Sequence, residues 1–411
     1  MTGKLRIGFD ARMVAYRQAG IGQYCLNMLR ELACLQNERR DFEITVYQSR
    51  KERRSPLEWL ELREGAAFKK RALWTPPHNR FEQLALPLEL LPGGPQVFHS
   101  PDFIPPLRRY SASAKGLHRV ASVITIHDLA FMLFPDLLTE ESKRYYGQIR
   151  QAVTSADRII TVSESTARDV VERLGVGRDK IRVVYEAANS LYKPFTPQEI
   201  EAVAQGEAAG VAKKLAAAGL DSQASFLLFV STIEPRKNLP LLLKAFRAAL
   251  DSLPAEVEKP RLVLAGREGW LFEQIYQQAE ELKLQSHLVW LGGVDSSDLL
   301  YLYNRAACLL MPSLYEGFGL PPLEALACGC PVVVADTSSL PEVVGKLGET
   351  LPAEDVEAWK SAVVAYWQGR AENKKRALAE GPAWAARFSW RRAAEETLAV
   401  YFEAAETLHL K

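Results

Sequence analysis

One segment in the second half is more informative about this chain than any other, and it reads Tyr315-Glu316-Gly317-Phe318-Gly319-Leu320-Pro321-Pro322-Leu323-Glu324. It follows the apolar run Cys308–Met311, which predicts a buried strand, and it opens the helical pattern Pro322–Cys328. Its glycines let the backbone curl close to a ligand. Its prolines are tolerated at a helix start, because the first N–H groups there have no helical acceptor. The segment therefore predicts a ligand-binding loop at the carboxyl end of a strand.

On both sides of this segment, short apolar runs alternate with longer helical patterns. Strands are predicted at Leu5–Ala11, Phe42–Tyr47, Val120–Ile126, Arg158–Val162, Ile181–Tyr185, Ser225–Ser231, Arg261–Ala265, Leu288–Leu291, Cys308–Met311 and Pro331–Val334. Helices are predicted at Gly20–Leu35, Ser165–Leu174, Leu239–Leu250, Leu271–Leu282, Ser297–Ala306 and Pro322–Cys328. This alternation favours parallel sheets with helices on both faces, so we predict an α/β chain with two doubly wound, Rossmann-like sheets.

The length of 411 residues fits about two domains. We place an N-terminal domain at 1–193, a linker at 194–224 and a C-terminal domain at 225–387. The linker is rich in Ala, Glu and Gln and carries no strand pattern. The tail from Trp384 to Leu410 is predicted to be helical throughout, with an apolar face that needs a partner.

Composition excludes several classes of protein. The 51 Lys and Arg residues nearly balance the 50 Asp and Glu residues, so the chain has no overall field that would attract nucleic acid. Its five cysteines are interpreted as reduced, buried thiols of a reducing compartment. The start of the sequence lacks an apolar signal-peptide region, and no run approaches the length of a membrane span. We expect a cytoplasmic protein, with peripheral contact to the inner face of the membrane as an option.

Two further loops follow predicted strands. Arg236 and Lys237 lie after Ser225–Ser231 and suit a diphosphate, since arginine binds two phosphate oxygens and lysine supplies a compact charge; a solvated surface pair is the alternative. Gly20 and Gly22 open a helix after Leu5–Ala11, where backbone N–H groups can approach an anion. A tight turn alone is the other interpretation of that loop, and the dinucleotide fingerprint lacks its third glycine.

The set of motifs resembles a known family. Glu316 to Glu324 matches the Glu-x7-Glu signature of the retaining glycosyltransferases of family 4, the group 1 glycosyltransferases with a GT-B fold, in which two Rossmann-like domains face a central cleft. The resemblance extends in order over nearly the whole chain and is nearest to bacterial mannosyltransferases. Its other elements are Gly20-Ile21-Gly22, His127-Asp128, Ser163-Glu164-Ser165, Thr232 through Asn238, Ala325 through Val334 and Leu340 through Gly345.

The resemblance implies a role for each matching residue. Arg236 and Lys237 would hold the donor diphosphate, Glu316 would bind sugar hydroxyls, and Glu324 would accept hydrogen bonds from the ribose. His127 would lie near the transferred sugar. The other donor-binding positions are Gly20, Gly22, Gly317, Phe318, Gly319 and Leu320.

The resemblance also bears on the tail and the hinge. The final helix, 388–411, would complete the N-terminal domain. One departure concerns the hinge: Glu186-Ala187-Ala188-Asn189 stands where the family usually has Asn-Gly.

The expected chemistry is transfer of a hexose, with mannose from GDP-mannose as the first choice. No paired acidic motif ends a strand and Asp102 stands alone, so protein cations are expected to replace a metal, with no cofactor besides the nucleotide sugar. Retention is implied by the family, with the leaving phosphate accepting the acceptor's proton. The alternatives are a UDP-sugar enzyme of the same fold, a non-catalytic nucleotide-sugar-binding protein, and another GT-B chemistry such as a phosphorylase or an epimerase.

A basic region in the first half bears on the acceptor. Residues 50–80 hold nine Lys and Arg against four Glu, with Trp59, Phe68 and Trp74 interleaved. A second basic loop spans 108–119. Such stretches can dock at an anionic bilayer, or can simply be a solvated face. The first interpretation predicts a lipid-linked rather than a soluble glycan acceptor.

Overall fold

The structure is a computed structural model, and it describes residues 4–16, 20–50, 68–77, 81–92, 94–107, 109–113, 116–135, 140–221 and 224–408. The chain divides into two compact units. Unit 1 comprises Met1–Glu186 and Ser389–Lys411, and unit 2 comprises Ala187–Phe388. The chain thus passes between the units twice, after Glu186 and after Phe388.

Unit 1 is built on a seven-stranded, wholly parallel sheet in the order β3-β2-β1-β4-β7-β8-β9. The strands are β1 (Leu5–Asp10), β2 (Phe42–Ser49), β3 (Lys69–Leu73), β4 (Val97–Ser100), β7 (Ala121–Ile126), β8 (Arg158–Thr161) and β9 (Ile181–Val183), beside an antiparallel hairpin of β5 (Tyr110–Ser113) and β6 (Gly116–Arg119). The helices are α1 (Gly20–Arg39), α2 (Glu82–Leu90), α3 (Ala130–Leu133), α4 (Glu140–Tyr146), α5 (Ile149–Ser155) and α6 (Glu164–Leu174). The strand order reverses between β1 and β4. Doubly wound sheets bind ligands at the carboxyl ends of the strands beside such a reversal.

Unit 2 repeats this plan with six parallel strands in the order β12-β11-β10-β13-β14-β15. They are β10 (Leu227–Val230), β11 (Leu262–Ala265), β12 (Leu288–Gly292), β13 (Cys308–Met311), β14 (Val332–Ala335) and β15 (Glu349–Leu351). The helices are α7 (Pro197–Gln205), α8 (Ala209–Ala217), α9 (Leu239–Ser252), α10 (Phe272–Glu281), α11 (Ser296–Arg305), α12 (Leu320–Ala327), α13 (Leu340–Val344), α14 (Val356–Gln368) and α15 (Arg370–Ala385). The central strands are buried along their whole length, which explains their uninterrupted apolar sequences.

The stretch 194–224, expected as a linker, lies within unit 2. It forms α7 and α8 rather than a single helix. Thr196 begins α7 with a capping box, and α8 buries Val211 and Leu215. Lys214 donates to the Leu291 carbonyl at 2.9 Å. These contacts attach the segment to β12. The predicted start of the C-terminal domain at 225 is therefore later in the chain than the start of unit 2 at Ala187.

The expectation of one continuous C-terminal helix is wrong. The helix α15 ends at Ala385, and α16 (Trp390–Glu406) begins after Ser389, whose hydroxyl accepts from the Arg392 N–H. The apolar face of α16 packs on α1 of unit 1 and buries Trp390, Leu398 and Tyr401. The partner that the amphipathic tail requires is therefore supplied by the first half of the chain.

Sequence patterning missed the short or polar strands. The edge strand β3 reads Lys-Lys-Arg-Ala-Leu, and β15 has three residues, two of them exposed. The strand β4 has four residues and contains His99. Each is too short or too polar to show a strand period, although parallel pairing with a neighbour is sufficient to form it.

Candidate active site

The site in unit 2 is built at the carboxyl ends of two neighbouring strands. β10 leads into the turn Pro235–Lys237, and β13 leads into the Glu316 loop. The Lys237 ammonium nitrogen lies 2.7 Å from Oε1 and 2.9 Å from Oε2 of Glu316. Both side chains are buried, with 6% of Lys237 and 8% of Glu316 exposed. Lys237 is therefore not part of a solvated surface pair.

Arg236 lies between two carboxylates. Its Nη2 is 2.9 Å from Oε1 of Glu234, and its Nη1 is 3.7 Å from Oε2 of Glu316. Nη1 also donates to the Tyr315 carbonyl at 2.8 Å, and the Leu314 N–H donates to the Arg236 carbonyl at 2.9 Å. These bonds join the two loops, so the position of each cation depends on the other loop.

Two serines hold the Glu316 loop. The Ser338 hydroxyl accepts from the Glu316 N–H at 2.9 Å, and the Ser339 hydroxyl donates to the carbonyls of Glu316 at 3.1 Å and Phe318 at 2.7 Å. Sequence reasoning assigned them no role. The available signal was two adjacent hydroxyls directly before the short helix α13.

The charge of Glu316 is stabilised by its neighbours. Burial alone would raise the pKa of Glu316, but Lys237 and Arg236 outweigh burial and hold that pKa below its ordinary value. The carboxylate is therefore ionised near neutral pH. A buried cluster of two cations and two carboxylates, Glu234 and Glu316, can exchange one of its ion pairs for a ligand anion.

The glycine loop between the two glutamates has a specific backbone requirement. Gly319 has a φ of +104°, and a Cβ there would lie 2.9 Å from Cδ2 of Leu340. The helix α12 starts directly afterwards at Leu320, and two prolines follow. Because proline has no N–H, the first turn of α12 has few amide N–H groups without a helical acceptor. The N–H of Leu320, the first residue of the helix, is one of them. Phe318 is buried, with its ring edge-on to Phe388.

Glu324 lies apart from the cation cluster. The Tyr303 hydroxyl of α11 donates to its Oε2 at 3.0 Å. Burial raises the pKa of Glu324 to about 7, and the Tyr303 hydrogen bond opposes that shift. The two glutamates of the signature thus have different partners, and their pKa values are shifted in opposite directions.

Unit 1 places His127 at the end of β7. Its Nδ1 lies 3.1 Å from Oε1 of Glu186, and its Nε2 lies 2.9 Å from the Pro101 carbonyl oxygen. Both partners are acceptors, so both contacts are hydrogen bonds when both ring nitrogens donate, as they do in an imidazolium. Burial would lower the pKa of His127, but Glu186 and the Pro101 carbonyl outweigh it and raise that pKa. The Tyr24 ring meets His127 edge-on, with centroids 4.8 Å apart.

Glu186 is the residue that sequence reasoning missed in unit 1. It follows β9, is buried, and stands at the position that departs from the family pattern. A lone glutamate after a strand gave no signal of its role, because its partner lies 59 residues away. The departure was expected to affect a hinge, and the structure shows that it supplies an ion-pair partner for His127.

The glycines of unit 1 lie in the first turn of α1. No atom lies within 4 Å of the position that a Cβ on Gly20 would occupy, so packing does not require glycine there. The loop just before, 17–19, lies outside the described residues. Arg12, which precedes it, is 2% exposed and forms ion pairs with Asp10 and Glu82. That arginine supports the fold rather than a ligand.

The structure therefore brings Arg236, Lys237 and Glu316 into one cluster in unit 2. His127, Gly20 and Gly22 all belong to unit 1. Within the described ranges, no group of three or more His, Cys, Asp or Glu side chains is arranged to hold a metal ion. Across those same ranges, no helix is both long and apolar enough to cross a membrane.

The sequence matches two family descriptions that together span most of it. Residues 19–189 match "Glycosyltransferase Family 4", and residues 212–380 match "Glycosyl transferases group 1". The chain is 33% identical over 307 residues to the O-antigen chain mannosyltransferase B of Escherichia coli, covering 74% of each protein. The chain belongs to the group 1 glycosyltransferases. It is also 30% identical over 279 residues to the serotype-specific mannosyltransferase WbdA of Escherichia coli, covering 66% of this chain and 32% of that protein.

Solved structures confirm the fold of this group 1 glycosyltransferase. A glycosyltransferase from Rickettsia africae has a TM-score of 0.66 at 14% identity, covering 98% of this chain and 99% of that one. HepE from Anabaena, in complex with UDP and glucose, has a TM-score of 0.64 at 16% identity, covering 99% and 100%. The predicted GT-B fold and the predicted resemblance to bacterial mannosyltransferases are confirmed.

Proposed function

We propose that this glycosyltransferase moves a hexose, with mannose from GDP-mannose as the first choice, to a glycan or lipid-linked acceptor in cell-surface polysaccharide assembly. The observation that carries the proposal is the buried cluster of Lys237, Arg236 and Glu316 at the carboxyl ends of β10 and β13. A donor diphosphate would share the two cations with Glu316. The carboxylate would then accept hydrogen bonds from sugar hydroxyls.

The reaction breaks the bond between the anomeric carbon and the leaving phosphate oxygen, which keeps the electron pair. The acceptor oxygen bonds to that carbon, and its proton passes to a phosphate oxygen on the same sugar face, so the configuration is retained. Negative charge grows on the diphosphate during the step, and Arg236 and Lys237 would stabilise it. Fixed charges of this kind stabilise a transition state without rearranging, and one such donor typically contributes about 10²–10³ in rate.

Glu316 would interact with the sugar, where charge of the opposite sign develops. Positive charge develops on the sugar, and the pKa of Glu316 is held low by the two cations, so the side chain remains an anion. It can therefore support both the sugar hydroxyls and the reacting carbon. A non-catalytic binding protein would need no such arrangement. This favours an enzyme over the binding-protein alternative.

The choice of mannose rests on the relatives, two of which are named mannosyltransferases. A UDP-sugar donor is the second candidate, and the likeness to a protein solved with UDP and glucose favours testing it. Glu324 would receive the ribose hydroxyls in either case, because both donors carry the same ribose.

Metal independence and the acceptor are parts of the same proposal. Lys237 and Arg236 would neutralise the diphosphate in place of a divalent cation, so transfer would persist in EDTA. Most of the basic stretch 50–80, namely 51–67 and 78–80, lies outside the described residues, as do 108 and 114–115 of the second stretch. Membrane contact through these stretches, on the cytoplasmic side, stays a prediction.

A donor panel tests the proposal directly. Purified protein is incubated with GDP- and UDP-sugars, and both slow donor hydrolysis and the thermal shift of the protein are recorded. GDP-mannose should give the largest shift and measurable release of GDP, with and without EDTA. No response to any donor would defeat the proposal. A response to UDP-sugars alone would select the second candidate.

A further inference from the structure

A third cation of unit 2 lies at the same edge of the sheet as the cluster of Arg236 and Lys237. Arg267 follows β11, and its side chain is exposed. Among the residues that the structure describes, none forms a hydrogen bond, ion pair or ring contact with its guanidinium. The adjacent carboxylate, Glu268, accepts instead from the Tyr276 hydroxyl at 3.0 Å. Arg267 can therefore bind a ligand without giving up an ion pair.

The side chain of Arg267 lies on the backbone of Gly293, just after β12. A Cβ on Gly293 would lie 2.9 Å from Cγ and 3.1 Å from Nε of Arg267. Any other residue at position 293 would therefore displace the arginine side chain. A surface arginine that is merely solvated needs no such space, so this packing distinguishes Arg267 from an ordinary exposed cation.

The backbone around Arg267 is held by both neighbouring strands. The Gly266 N–H donates to the Gly292 carbonyl at 2.8 Å, and the Arg267 carbonyl accepts from the Ile233 N–H at 2.8 Å. The Gly269 N–H donates back to the Ile233 carbonyl at 3.0 Å. Ile233 belongs to the loop that carries the two cations of the cluster, so these bonds fix the position of Arg267 relative to that cluster.

The pairing of β11 with β12 is irregular at this point. Leu264 pairs with Trp290, but the next residue, Ala265, pairs with Gly292, so Leu291 is an extra residue in β12. Gly292 then adopts a φ of +74°. Bulges of this kind bend a strand and are common beside active sites, where they change the direction of the chain. Here the bulge shapes the strand end on which Arg267 lies.

The end of β12 is within reach of the base of a nucleotide bound at the cation cluster. Neighbouring strands are about 4.8 Å apart, so β12 lies about 10 Å from β10 and farther still from β13. A guanidinium directed toward β12 is therefore beyond a diphosphate held between β10 and β13. The base is the part of a nucleotide that lies at the far end from its diphosphate.

The proposed ribose site lies between these two positions. Burial raises the pKa of Tyr192, the Glu324 carboxylate raises it further, and a hydrogen bond with Ser296 opposes both. Tyr192 therefore lies between Glu324 and the start of α11, which follows the end of β12. A nucleotide whose ribose is bound by Glu324 can thus direct its base toward the strand end that carries Gly293 and Arg267.

We propose that Arg267 selects guanine over uracil in the donor nucleotide. The inference rests on the proposed function, because it requires the donor site in unit 2. The guanidinium fork can donate to O6 and N7 of guanine at the same time, since both are acceptors on one edge of the base. Adenine has an amino group in place of O6, and uracil has no second acceptor beside O4 with this geometry. Arg267 is therefore a specificity-determining residue.

The experiment is calorimetric titration of the full chain with GDP, 7-deaza-GDP and UDP. Arg267→Ala should lower the affinity for GDP by about ten- to hundredfold, the range expected for one bidentate contact with guanine. The affinity for UDP should change by less than about twofold, because the diphosphate and ribose contacts remain. The analogue 7-deaza-GDP lacks the N7 acceptor, so it should bind the wild type more weakly than GDP and should bind Arg267→Ala as well as GDP does.

Three further variants separate geometry from charge. Arg267→Lys keeps the charge but loses the planar fork, so it should lose most of the preference for GDP. Gly293→Ala displaces the Arg267 side chain without removing it, and it should reduce the same preference. The matched control is Arg376→Ala, a change at an exposed arginine on α15, which should bind every nucleotide like the wild type. Thermal melts of each variant verify that it is folded.

Two results with Arg267→Ala would overturn the inference. An unchanged affinity for GDP would mean that Arg267 does not contact the base. Equal losses for GDP and UDP would make it a ligand of the diphosphate. A wild type that binds UDP but not GDP overturns guanine selection alone and leaves transfer from a nucleotide sugar standing. A wild type that binds no nucleotide overturns the proposed function together with this inference.

Discussion

Each unit places a buried carboxylate beside a cation at the carboxyl edge of its sheet, but the two pairs differ in the cation. In unit 2, Glu316 pairs with the ammonium group of Lys237, which contacts both carboxylate oxygens. In unit 1, Glu186 pairs with His127, whose charge depends on the pair itself. The unit 2 pair is suited to a ligand that always carries charge, such as a diphosphate. The unit 1 pair provides a cation that pH or mutation can remove.

The largest expected effect is on transfer, from Glu316→Gln. Transfer should fall by about 10²–10³, because the variant loses the anion that we propose to stabilise the developing charge on the sugar. Nucleotide affinity should change little, since Arg236 and Lys237 remain. Steady-state kinetics and calorimetric titration with the nucleoside diphosphate measure the two effects. Glu357→Gln, a change at an exposed glutamate on α14, is the control. Equal losses in transfer and affinity would mean that Glu316 serves donor binding.

The next effect is on stability. Glu316→Leu alone leaves Lys237 buried without its ion-pair partner, and such a break typically costs about 3–5 kcal/mol. Adding Lys237→Met to Glu316→Leu should recover most of that loss, because two apolar side chains of similar volume replace the pair. Urea unfolding of the single and double variants gives the coupling energy. Purely additive losses would show that the pair is not coupled.

A smaller effect should appear in unit 1 with Glu186→Gln. The neutral amide can still accept from Nδ1 but no longer favours the imidazolium, so the pKa of His127 should fall. The Pro101 carbonyl still faces Nε2, and Asp102 still lies near, so the fall is partial. Titration of the ring signals by NMR measures it, and the buried neutral His99, whose pKa of about 3 reflects burial, is the internal reference.

The pair of His127 and Glu186 also predicts how the free energy of unfolding changes with pH. The folded pKa of His127 lies above its unfolded value of 6.5, so the stabilisation from the pair is complete below that value. It is lost as pH rises through the folded pKa. Unfolding free energies measured across this window should show the loss in wild type and a smaller one in Glu186→Gln. An unchanged pH profile would mean that Glu186 does not control the charge of His127.

The smallest effect is expected at Glu324. Its pKa of about 7 means that the carboxylate, to which we assign the ribose hydroxyls, forms only as pH rises past neutrality. Nucleotide affinity should therefore increase by less than about tenfold between about pH 6 and about pH 8. Tyr303→Phe removes the hydrogen bond that favours the carboxylate, so the increase should move to higher pH. Calorimetry at several pH values checks both, and Glu324→Gln should abolish the dependence.

The sequence was sufficient to locate the loops of the candidate site, but not to predict which of their side chains pair with one another. Glu316, Lys237 and Arg236 were identified because they follow apolar strands whose burial is visible in the sequence. That Lys237 bonds both oxygens of Glu316 depends on β10 and β13 being neighbours, which only the strand order reveals. Glu186 was beyond prediction for the same reason. The strand β3 was missed because its Lys-Lys-Arg sequence is polar. It is a strand because its backbone pairs with that of β2.

The second crossing of the chain, at Phe388, has a consequence for biosynthesis. Unit 2 occupies one uninterrupted stretch, 187–388, while unit 1 is complete only when α16 has been made. At about 5–20 residues per second, a ribosome needs roughly 10–40 s to translate that stretch. During this interval the nascent first unit has no Trp390 to cover Tyr24 and no Tyr401 hydroxyl for Nδ1 of His99. The unit that begins first on the ribosome is therefore the one that finishes folding last.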